Sequence, residues 1–455
     1  MRAGHLAAAA VMVAAACGSP SNEPVTLRLD PSTTFQTFEG WGATVPILGI
    51  PFDEWAADPS PANYDRLPLV DPVSDGLKAR IMDDAVSDLG LNRFRLEVGP
   101  QVEMRNDNDD PQQTYDAAYR FRWQDFLIER WLLPLKQRVE ARKERFVLYI
   151  SYDLRSSLTP AWLLDPEEYA EMAVACLRHF KTTYGLDADY WVVLNEPGNR
   201  RPGDPQLVAK LISATASRFH REGFRTRLAG PEVVTPAQFP SYINAIDSAG
   251  ALAHLGQLTY HLYRNPWNLD ARHGIREWSR RLGVTSAQTE WLEGEGLDVL
   301  EVLHLDLTEA DASVWEQYTL CYTPNSYNED GGADYFVIGQ DHSAYAMNAN
   351  ARLLRQYMKY IRPGDVRVDI SSSRDRTIKP VAFRSPDGRL TIAILNTGRS
   401  AEEVRIEQAS PGRYQASVAT ERSDAQPLTV PTLESGGLLT LSVPARGTTT
   451  LQQLP

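Results

Sequence analysis

Cysteine is scarce in this 455-residue chain, which contains only Cys17, Cys176 and Cys321. Cys176 lies in the segment EYAEMAVACLRHF, whose apolar residues recur with helical spacing, and this favours a buried free thiol over a disulfide with Cys321. The eight histidines are scattered, and none lies in an HExxH or CxxC setting. We therefore predict neither a metal site nor a bound cofactor.

Positive charge is also in short supply. Lys and Arg number 46 against 59 Asp and Glu, which gives a formal net charge of -13 at pH 7. The resulting negative field disfavours nucleic acids and strongly anionic polymers as partners. A neutral substrate suits this chain better.

The N-terminal apolar run at 6–16 is too short to span a bilayer, and it follows the cationic start MRAGH, which is typical of an export signal. The sequence Ala14-Ala15-Ala16-Cys17 resembles a bacterial lipobox, in which the cysteine is acylated and becomes the new N-terminus. The following GSPSNEP has the composition of a tether. We predict a signal peptide at 1–16 and an exported lipoprotein held at the outer membrane or cell surface through Cys17. Ordinary signal cleavage would leave a secreted protein instead.

Between about residues 34 and 363, short apolar runs alternate with longer amphipathic ones, as in repeated βα units around a parallel sheet. No GxGxxG or GxxxxGKS/T motif follows any of these runs, so a nucleotide-binding sheet would lack its phosphate loop. Eight candidate strands favour a closed (β/α)₈ TIM barrel of the α/β class over an open doubly wound sheet. They are 40–43, 93–98, 146–151, 190–194, 227–229, 257–260, 286–289 and 313–320.

The pattern changes after Arg362-Pro363-Gly364, where segments such as TIAILNTG and AEEVRIEQ alternate apolar with polar residues between turns. This alternation is typical of an antiparallel β-sandwich. The alternating segment 25–29 precedes the barrel, and we expect it to pair with the same sandwich. The predicted organisation is a tether and first sandwich strand at 17–33, a catalytic barrel at 34–361 and a sandwich at 362–455.

Two carboxylates stand at the ends of predicted strands. The run YWVVL leads into Asn195-Glu196-Pro197, and SAQT leads into Glu290. A charged side chain at the end of an apolar strand costs free energy unless it has a partner of opposite charge or takes part in binding or catalysis. The two glutamates are 94 residues apart (290 minus 196), which is three βα steps and places them across the barrel mouth from each other.

Glycoside hydrolysis needs two such carboxyl groups, one protonated for the leaving oxygen and one ionised for attack on the anomeric carbon. Glu196 suits the acid/base role and Glu290 the nucleophile. Asn195 can donate an amide hydrogen bond to the sugar 2-hydroxyl. The structural alternative is that both glutamates form ion pairs at strand termini.

This set of residues resembles a known family. Asn195-Glu196-Pro197 on strand four, His261-Leu262-Tyr263 on strand six and Thr289-Glu290 on strand seven look like the retaining (β/α)₈ glycoside hydrolases, and most like glycoside hydrolase family 30. The likeness runs from FEGWGA at 38–43 to YIRPG at 360–364. It implies a barrel fused to a sandwich built from both chain ends, and an O-glycosyl hydrolase of the glucosylceramidase, β-1,6-glucanase or xylanase kind.

The resemblance also implies roles for individual residues. Arg95 would orient the nucleophile, and the phenol of Tyr263 would hydrogen-bond to it. His261 lies two residues from Tyr263 on the same strand face and would line the site. Alternatives remain for two of them, because Arg95 can pair with Glu97 on its own strand and His261 can be a satisfied core histidine.

The sequence departs from the family where the sugar would bind. Many members have Ser-Pro-Trp after strand three, where this chain has Ser-Tyr-Asp ending in Asp153, and Tyr318 takes the place of a pocket-floor tryptophan. Trp41, near a strand end, is a further candidate for stacking on a sugar, with buried packing as the equal alternative. Glu232 after strand five is a rival carboxylate. The predicted substrate-binding residues are therefore Asn195, Arg95, His261, Tyr263, Trp41, Tyr318 and Asp153.

We predict a retaining hydrolase of β-linked bonds in a polysaccharide, oligosaccharide or glycoconjugate, acting as a monomer on carbohydrate without nucleic acid. One alternative is a catalytically inactive carbohydrate-binding surface lipoprotein, although binding alone requires no opposed acid and nucleophile. Another is an acidic barrel of lyase or metal-dependent type, which would need several strand-end carboxylates converging on a cation. The sugar, the linkage and exo or endo action depend on loops and stay open.

Overall fold

The computed structural model describes residues 23–46, 52–153, 160–199, 203–291, 293–322, 334–428, 432–433 and 438–455. The predicted export signal and Cys17 lie outside the described residues. Within the described part of the chain, every helix is too short or too polar to cross a membrane.

The described elements alternate between strand and helix up to residue 358 and are strands thereafter. The strands are β1 Val25–Thr37, β2 Gly40–Thr44, β3 Leu91–Val98, β4 Val147–Tyr152, β5 Tyr190–Val192, β6 Arg227–Val233, β7 Leu255–His261, β8 Thr285–Glu290, β9 Ala312–Tyr322, β10 Asp334–Ile338, β11 Tyr345–Met347, β12 Val366–Ser372, β13 Ile378–Arg384, β14 Leu390–Asn396, β15 Glu402–Glu407, β16 Tyr414–Thr420, β17 Ser423–Leu428, β18 Leu439–Val443 and β19 Gly447–Gln453. The α-helices are α1 Phe52–Ala57, α2 Pro61–Arg66, α3 Asp75–Ser87, α4 Arg122–Leu127, α5 Leu133–Ala141, α6 Pro166–Tyr184, α7 Pro205–Arg221, α8 Phe239–Ser248, α9 Leu269–Leu282, α10 Leu297–Glu309 and α11 Ala349–Met358. A π-helical turn, Ile128–Leu132, links α4 to α5, and short 3₁₀ turns cover Asp116–Ala118, Ala161–Leu164, Pro236–Gln238 and Leu252–His254.

Strands β2 to β9 form a closed parallel barrel. Each strand pairs in parallel with the next, and the ring closes because β9 pairs with both β8 and β2. β10 and β11 extend the sheet from the far end of β9. Each strand predicted between residues 40 and 320 overlaps one of these eight, so the TIM-barrel fold class predicted from the sequence is confirmed.

A second sheet of nine strands has the order β17-β16-β19-β14-β13-β12-β1-β15-β18. Strands near its opposite edges share one apolar core, since Tyr414 of β16, Leu27 of β1 and Leu441 of β18 belong to the same cluster. The sheet therefore folds over itself as a sandwich. The N-terminal β1 lies between β12, to which it is antiparallel, and β15, to which it is parallel, so one pair departs from the expected antiparallel pattern.

The barrel and the sandwich pack together at the N-terminal ends of the barrel strands. Phe38 lies 4.5 Å from Trp41 and 6.1 Å from Phe383 between ring centroids, and the Trp41 indole donates to the Ile361 carbonyl at 2.8 Å. The sandwich also packs along α10 and α11 on the side of the barrel. Barrel enzymes carry their reactive groups at the opposite, C-terminal ends of the strands.

Polar residues fill the barrel interior below the site. Arg93 on β3 and Glu316 on β9 form a buried ion pair at 2.5 Å. Gly42 on β2 makes room for it, because a Cβ at this position would lie 2.6 Å from the Glu316 carboxyl carbon. This buried ion pair lies one layer below Arg95 and the other site residues.

Candidate active site

Apart from Trp41, the predicted site residues come from six different strands and converge at the C-terminal end of the barrel. Their placement follows from the parallel sheet, since the polar residue that ends or follows each strand is carried to the same rim. Arg95 lies on β3, Asp153 follows β4, Asn195 and Glu196 follow β5, His261 ends β7 with Tyr263 two residues later, Glu290 ends β8, and Tyr318 lies on β9.

Glu290 is held by two donors. Arg95 Nη2 contacts Glu290 Oε2, and the Tyr263 hydroxyl donates to Oε1 at 2.7 Å. The same Arg95 nitrogen lies 3.2 Å from Glu97 Oε1, so the alternative pair within β3 also forms. Burial opposes the charge on Arg95, but Glu290, Glu97 and Glu232 raise its pKa well above the ordinary value. Arg95 is therefore a permanent cation that pairs with Glu290 and orients its carboxyl group.

Glu196 is held from the other side. The His261 Nδ1 atom lies 3.0 Å from Glu196 Oε1, and the Asn199 amide donates to Oε2 at 3.1 Å. The Glu196 backbone has φ of 49°, a left-handed conformation uncommon outside glycine, and its N–H donates to the Glu232 carbonyl at 3.1 Å. Residues in such conformations concentrate at functional sites, where surrounding contacts hold them in place.

The two carboxylates face each other across a short gap. One oxygen each of Glu196 and Glu290 and one ring nitrogen of His261 all lie within 4.8 Å of one another. Among the described residues this is the one group of three acidic, His or Cys side chains with that spacing. The positive charge of Arg95 already occupies Glu290, which makes the group poorly suited to a divalent cation and well suited to proton and group transfer.

Asn195 directly precedes Glu196 in the chain. Its backbone N–H donates to the Tyr152 carbonyl at 2.7 Å, which fixes the residue at the end of β5. Its side chain is 8% exposed, and the buried Oδ1 has no hydrogen-bond partner among the described residues. A buried amide oxygen without a partner suggests a ligand or water that completes it.

Two of the residues that depart from the family pattern also reach the site. The Arg95 guanidinium lies 5.6 Å from the Tyr318 ring centroid. Burial raises the pKa of Tyr318 well above its usual value, and the charges of Glu97, Glu290 and Asp153 raise it further. Tyr318 and Asp153 therefore lie in the same polar region as Glu290.

Trp41 does not reach this site. Its ring is fully buried at the N-terminal end of β2, where it packs on Phe38 and bonds to the carbonyl that follows α11. The assignment of Trp41 to the sugar-binding residues is therefore corrected to a packing role between barrel and sandwich. A tryptophan near a strand end in sequence can lie at either end of the barrel, and the sequence alone did not distinguish the two.

Glu232 differs from the other two glutamates. It is fully buried, and its carboxylate contacts the Tyr149 hydroxyl, Thr289 Oγ1 at 3.1 Å and His261 Nε2 at 3.3 Å. Protein groups therefore enclose it, whereas Glu196 and Glu290 keep 7% and 6% of their surface exposed. In the sequence, Glu232 was noticed because Gly-Pro-Glu follows a predicted strand. That pattern does not indicate which residues contact its carboxylate.

Asn199 and Arg264 were missed by the sequence analysis. Arg264 Nη2 donates to Asn199 Oδ1 at 3.3 Å, and the Asn199 amide donates to Glu196. Both residues lie in loops after strand ends, three residues after Glu196 and one after Tyr263. That short spacing from the predicted site residues was the only available signal.

The comparisons with known proteins agree with this architecture. Residues 364–451 match the model of the glycosyl hydrolase family 30 β-sandwich domain. Solved structures similar to the chain include the catalytic domain of a family 30 xylanase C from Talaromyces cellulolyticus, with a TM-score of 0.71 and 18% identity over 94% of this chain and 100% of that one. A conserved exported protein from Bacteroides fragilis has a TM-score of 0.67 and 14% identity over 94% and 100% of the two chains.

The endo-β1,6-glucanase BT3312 is similar as well, with a TM-score of 0.64 and 16% identity over 96% of this chain and 94% of that one. At these identities the likeness between structures is one of fold. The sandwich match supplies the family at the level of sequence. The chain therefore carries the β-sandwich domain of glycoside hydrolase family 30 behind a barrel with the fold seen in hydrolases of that family, in agreement with the family predicted from the sequence.

Proposed function

We propose that the protein is a retaining glycoside hydrolase that cleaves β-linked glycosidic bonds by double displacement, with Glu196 as acid/base and Glu290 as nucleophile. The observation that carries the proposal is the pair of opposed carboxylates, whose oxygens approach within 4.8 Å. Retaining enzymes hold these carboxyl groups about 5 to 5.5 Å apart, whereas inverting enzymes leave about 6.5 to 9.5 Å for a water molecule. The narrow gap supports the retaining mechanism.

In the first step, the ionised Glu290 attacks the anomeric carbon while Glu196 gives its proton to the leaving oxygen. Arg95 and the Tyr263 hydroxyl aim Glu290 at the carbon, since they bind both of its oxygens. In this mechanism Asn195 donates to the sugar 2-hydroxyl, an interaction that strengthens as positive charge develops on the ring.

In the second step, Glu196 is a carboxylate and removes a proton from water, which then attacks the glycosyl ester on Glu290. His261 and Asn199 each contact one oxygen of Glu196, so the side chain keeps its position as it changes from acid to base. The product leaves with the configuration it had in the substrate.

The first product should therefore have retained β configuration. Proton NMR of the anomeric signals, recorded during hydrolysis before mutarotation, measures this directly. We expect the β-anomer to accumulate first and the α-anomer to follow only as mutarotation proceeds. Initial formation of the α-anomer would contradict the double displacement.

The substrate class that fits best is a neutral β-linked glycan or glycoconjugate. A net charge of -13 disfavours a polyanion, and structural neighbours include a xylanase and an endo-β1,6-glucanase. Tyr318 in place of a tryptophan makes the pocket floor more polar than in the family pattern. A panel of aryl β-glycosides and β-linked polysaccharides would identify the sugar and linkage.

We further propose that the protein is exported and anchored through an acylated Cys17. The short apolar run before Cys17, the tether composition after it and the similarity to a conserved exported protein support this location. An anchor with more than one acyl chain holds a soluble domain stably at a membrane.

The expected result is partition of the mature protein into the detergent phase and incorporation of labelled fatty acid. Cys17→Ser should abolish both and leave activity per molecule unchanged, because the site lies in the barrel. Wild-type protein found wholly in the aqueous phase, with an N-terminus beyond residue 17, would exclude the anchor and leave simple secretion.

A further inference from the structure

His261 lies between two carboxylates at the centre of the site. Its Nδ1 atom is 3.0 Å from Glu196 Oε1 and its Nε2 atom is 3.3 Å from Glu232 Oε1, and the ring is fully buried. The Nδ1 contact is a hydrogen bond, whereas Nε2 lies close to Glu232 without meeting hydrogen-bond geometry. An imidazole with a carboxyl oxygen within 3.3 Å of each nitrogen is favoured electrostatically to carry both protons. Burial opposes a charge on His261, but Glu290, Glu196 and Glu232 together raise its pKa to about 10.

Glu232 is the fixed member of this arrangement. It is enclosed by the Tyr149 hydroxyl, Thr289 Oγ1, the His261 ring and Arg95, whose Nη1 atom lies 3.9 Å away. Burial alone would raise its pKa, but His261 and Arg95 lower it below the ordinary value. Because Glu232 has no exposed surface, its influence on a substrate passes through neighbours that reach the site, and His261 at 3.3 Å lies closer to it than Arg95 at 3.9 Å.

We propose that Glu232 is a positioning residue that keeps His261 doubly protonated, so that the imidazolium is a counter-charge shared by Glu196 and Glu290 during the reaction. This inference rests on the proposed function. His261 Nδ1 lies 3.0 Å from Glu196 Oε1 and 3.9 Å from Glu290 Oε1. In the first step Glu290 loses its charge as it bonds to the sugar, and Glu196 gains one as its proton goes to the leaving oxygen. The negative charge thus passes from one neighbour of the imidazolium to the other.

The same charges explain why Glu196 can hold a proton at the start. The cations Arg95 and His261 already face three buried carboxylates. These are Glu97, Glu232 and Glu290, so an ionised Glu196 would be a further uncompensated negative charge. Once Glu290 becomes a neutral ester, the charge on an ionised Glu196 replaces the one that Glu290 has lost, and the number of negative charges in the site is unchanged. The titratable or charged groups that face His261 and Glu232 are Arg95 from β3, with Glu97 paired to it, Tyr149 from β4, Glu196 after β5, Tyr263 after β7, Glu290 from β8 and Glu316 from β9.

The test replaces Glu232 with Gln, which preserves the size of the side chain and removes its charge. Nitrogen-15 NMR of the histidine rings, with the His261 signals assigned from their loss in His261→Asn, should show a charged His261 in the wild type at about pH 8. In Glu232→Gln, the pKa of His261 should fall by about one unit or more. With an activated aryl glycoside, whose turnover depends on the second step in which Glu196 is a base, the alkaline limb of kcat reports loss of the imidazolium and should move to lower pH together with the pKa of His261.

Two further variants separate this role from a structural one. Glu232→Asp retains the charge and should keep the alkaline limb near its wild-type position even if kcat falls. Glu171→Gln makes the matched substitution at a buried carboxylate on α6, a helix outside the ring of barrel strands. It should leave the alkaline limb unchanged. A change common to both Gln variants would indicate a general effect of removing a buried charge and would overturn the proposal.

A neutral His261 in the wild type at about pH 8 would also overturn the proposal, as would an unchanged His261 titration in Glu232→Gln. The NMR measurement needs no turnover, so its failure is distinct from failure of the proposed function. Hydrolysis by a protein whose His261 is neutral would refute the counter-charge alone. A charged His261 in a protein that cleaves no β-glycoside would refute the reaction and leave the pairing with Glu232 supported.

Discussion

Glu290→Gln should lower kcat by several powers of ten while the barrel remains folded. The amide has almost the same size as the carboxylate and can still accept from the Tyr263 hydroxyl, but it cannot attack the anomeric carbon. Arg95 would lose its charged partner and keep Glu97 at 3.2 Å, so the buried cation is not left unpaired. Steady-state hydrolysis of an aryl β-glycoside, with circular dichroism as the fold check, measures the loss.

Glu293→Gln is the matched control for Glu290→Gln. Glu293 is an exposed carboxylate three residues downstream, and its Oε2 atom accepts from the Arg264 N–H at 3.2 Å. It makes the same chemical change next to the site without touching the nucleophile, so near-normal kcat is expected. Comparable activity in Glu290→Gln and Glu293→Gln would assign the nucleophile elsewhere.

The fold was predictable because it depends on local sequence patterns. Short apolar runs separated by amphipathic segments identify buried parallel strands, and each predicted barrel strand overlaps one in the structure. The two glutamates were visible for a related reason. A charged residue that directly follows an apolar strand is unusual, and the parallel sheet carries all such residues to one rim.

Contacts between distant strands were less accessible from sequence. Tyr149 contacts Glu232 from 83 positions earlier in the chain, and no local pattern indicates that pair. Trp41 illustrates the same limit, since a one-dimensional sequence does not show which end of a short strand faces the sandwich. Asn199 was missed because its role depends on the turn after Glu196, whose geometry is set by tertiary contacts.

Glu196→Ala should affect substrates unequally. Substrates with poor leaving groups depend on proton donation to the departing oxygen, so their kcat/KM should fall by about 10²-fold or more. Activated aryl glycosides leave with little protonation and should keep much of their first-step rate. Their turnover should then be limited by the second step, because the residue that removes the proton from water is missing.

Azide separates loss of the acid/base from general damage to the site. In Glu196→Ala, the truncated side chain leaves space beside the His261 and Asn199 donors, which bind the two Glu196 oxygens in the wild type. An anion that enters this space can attack the glycosyl ester on Glu290 without base assistance. We expect azide to raise kcat with activated substrates and to yield a β-glycosyl azide, detectable by mass spectrometry and NMR. If both classes of substrate lose activity equally and azide has no effect, Glu196 is not the acid/base, and the opposed pair with Glu290 would need another explanation.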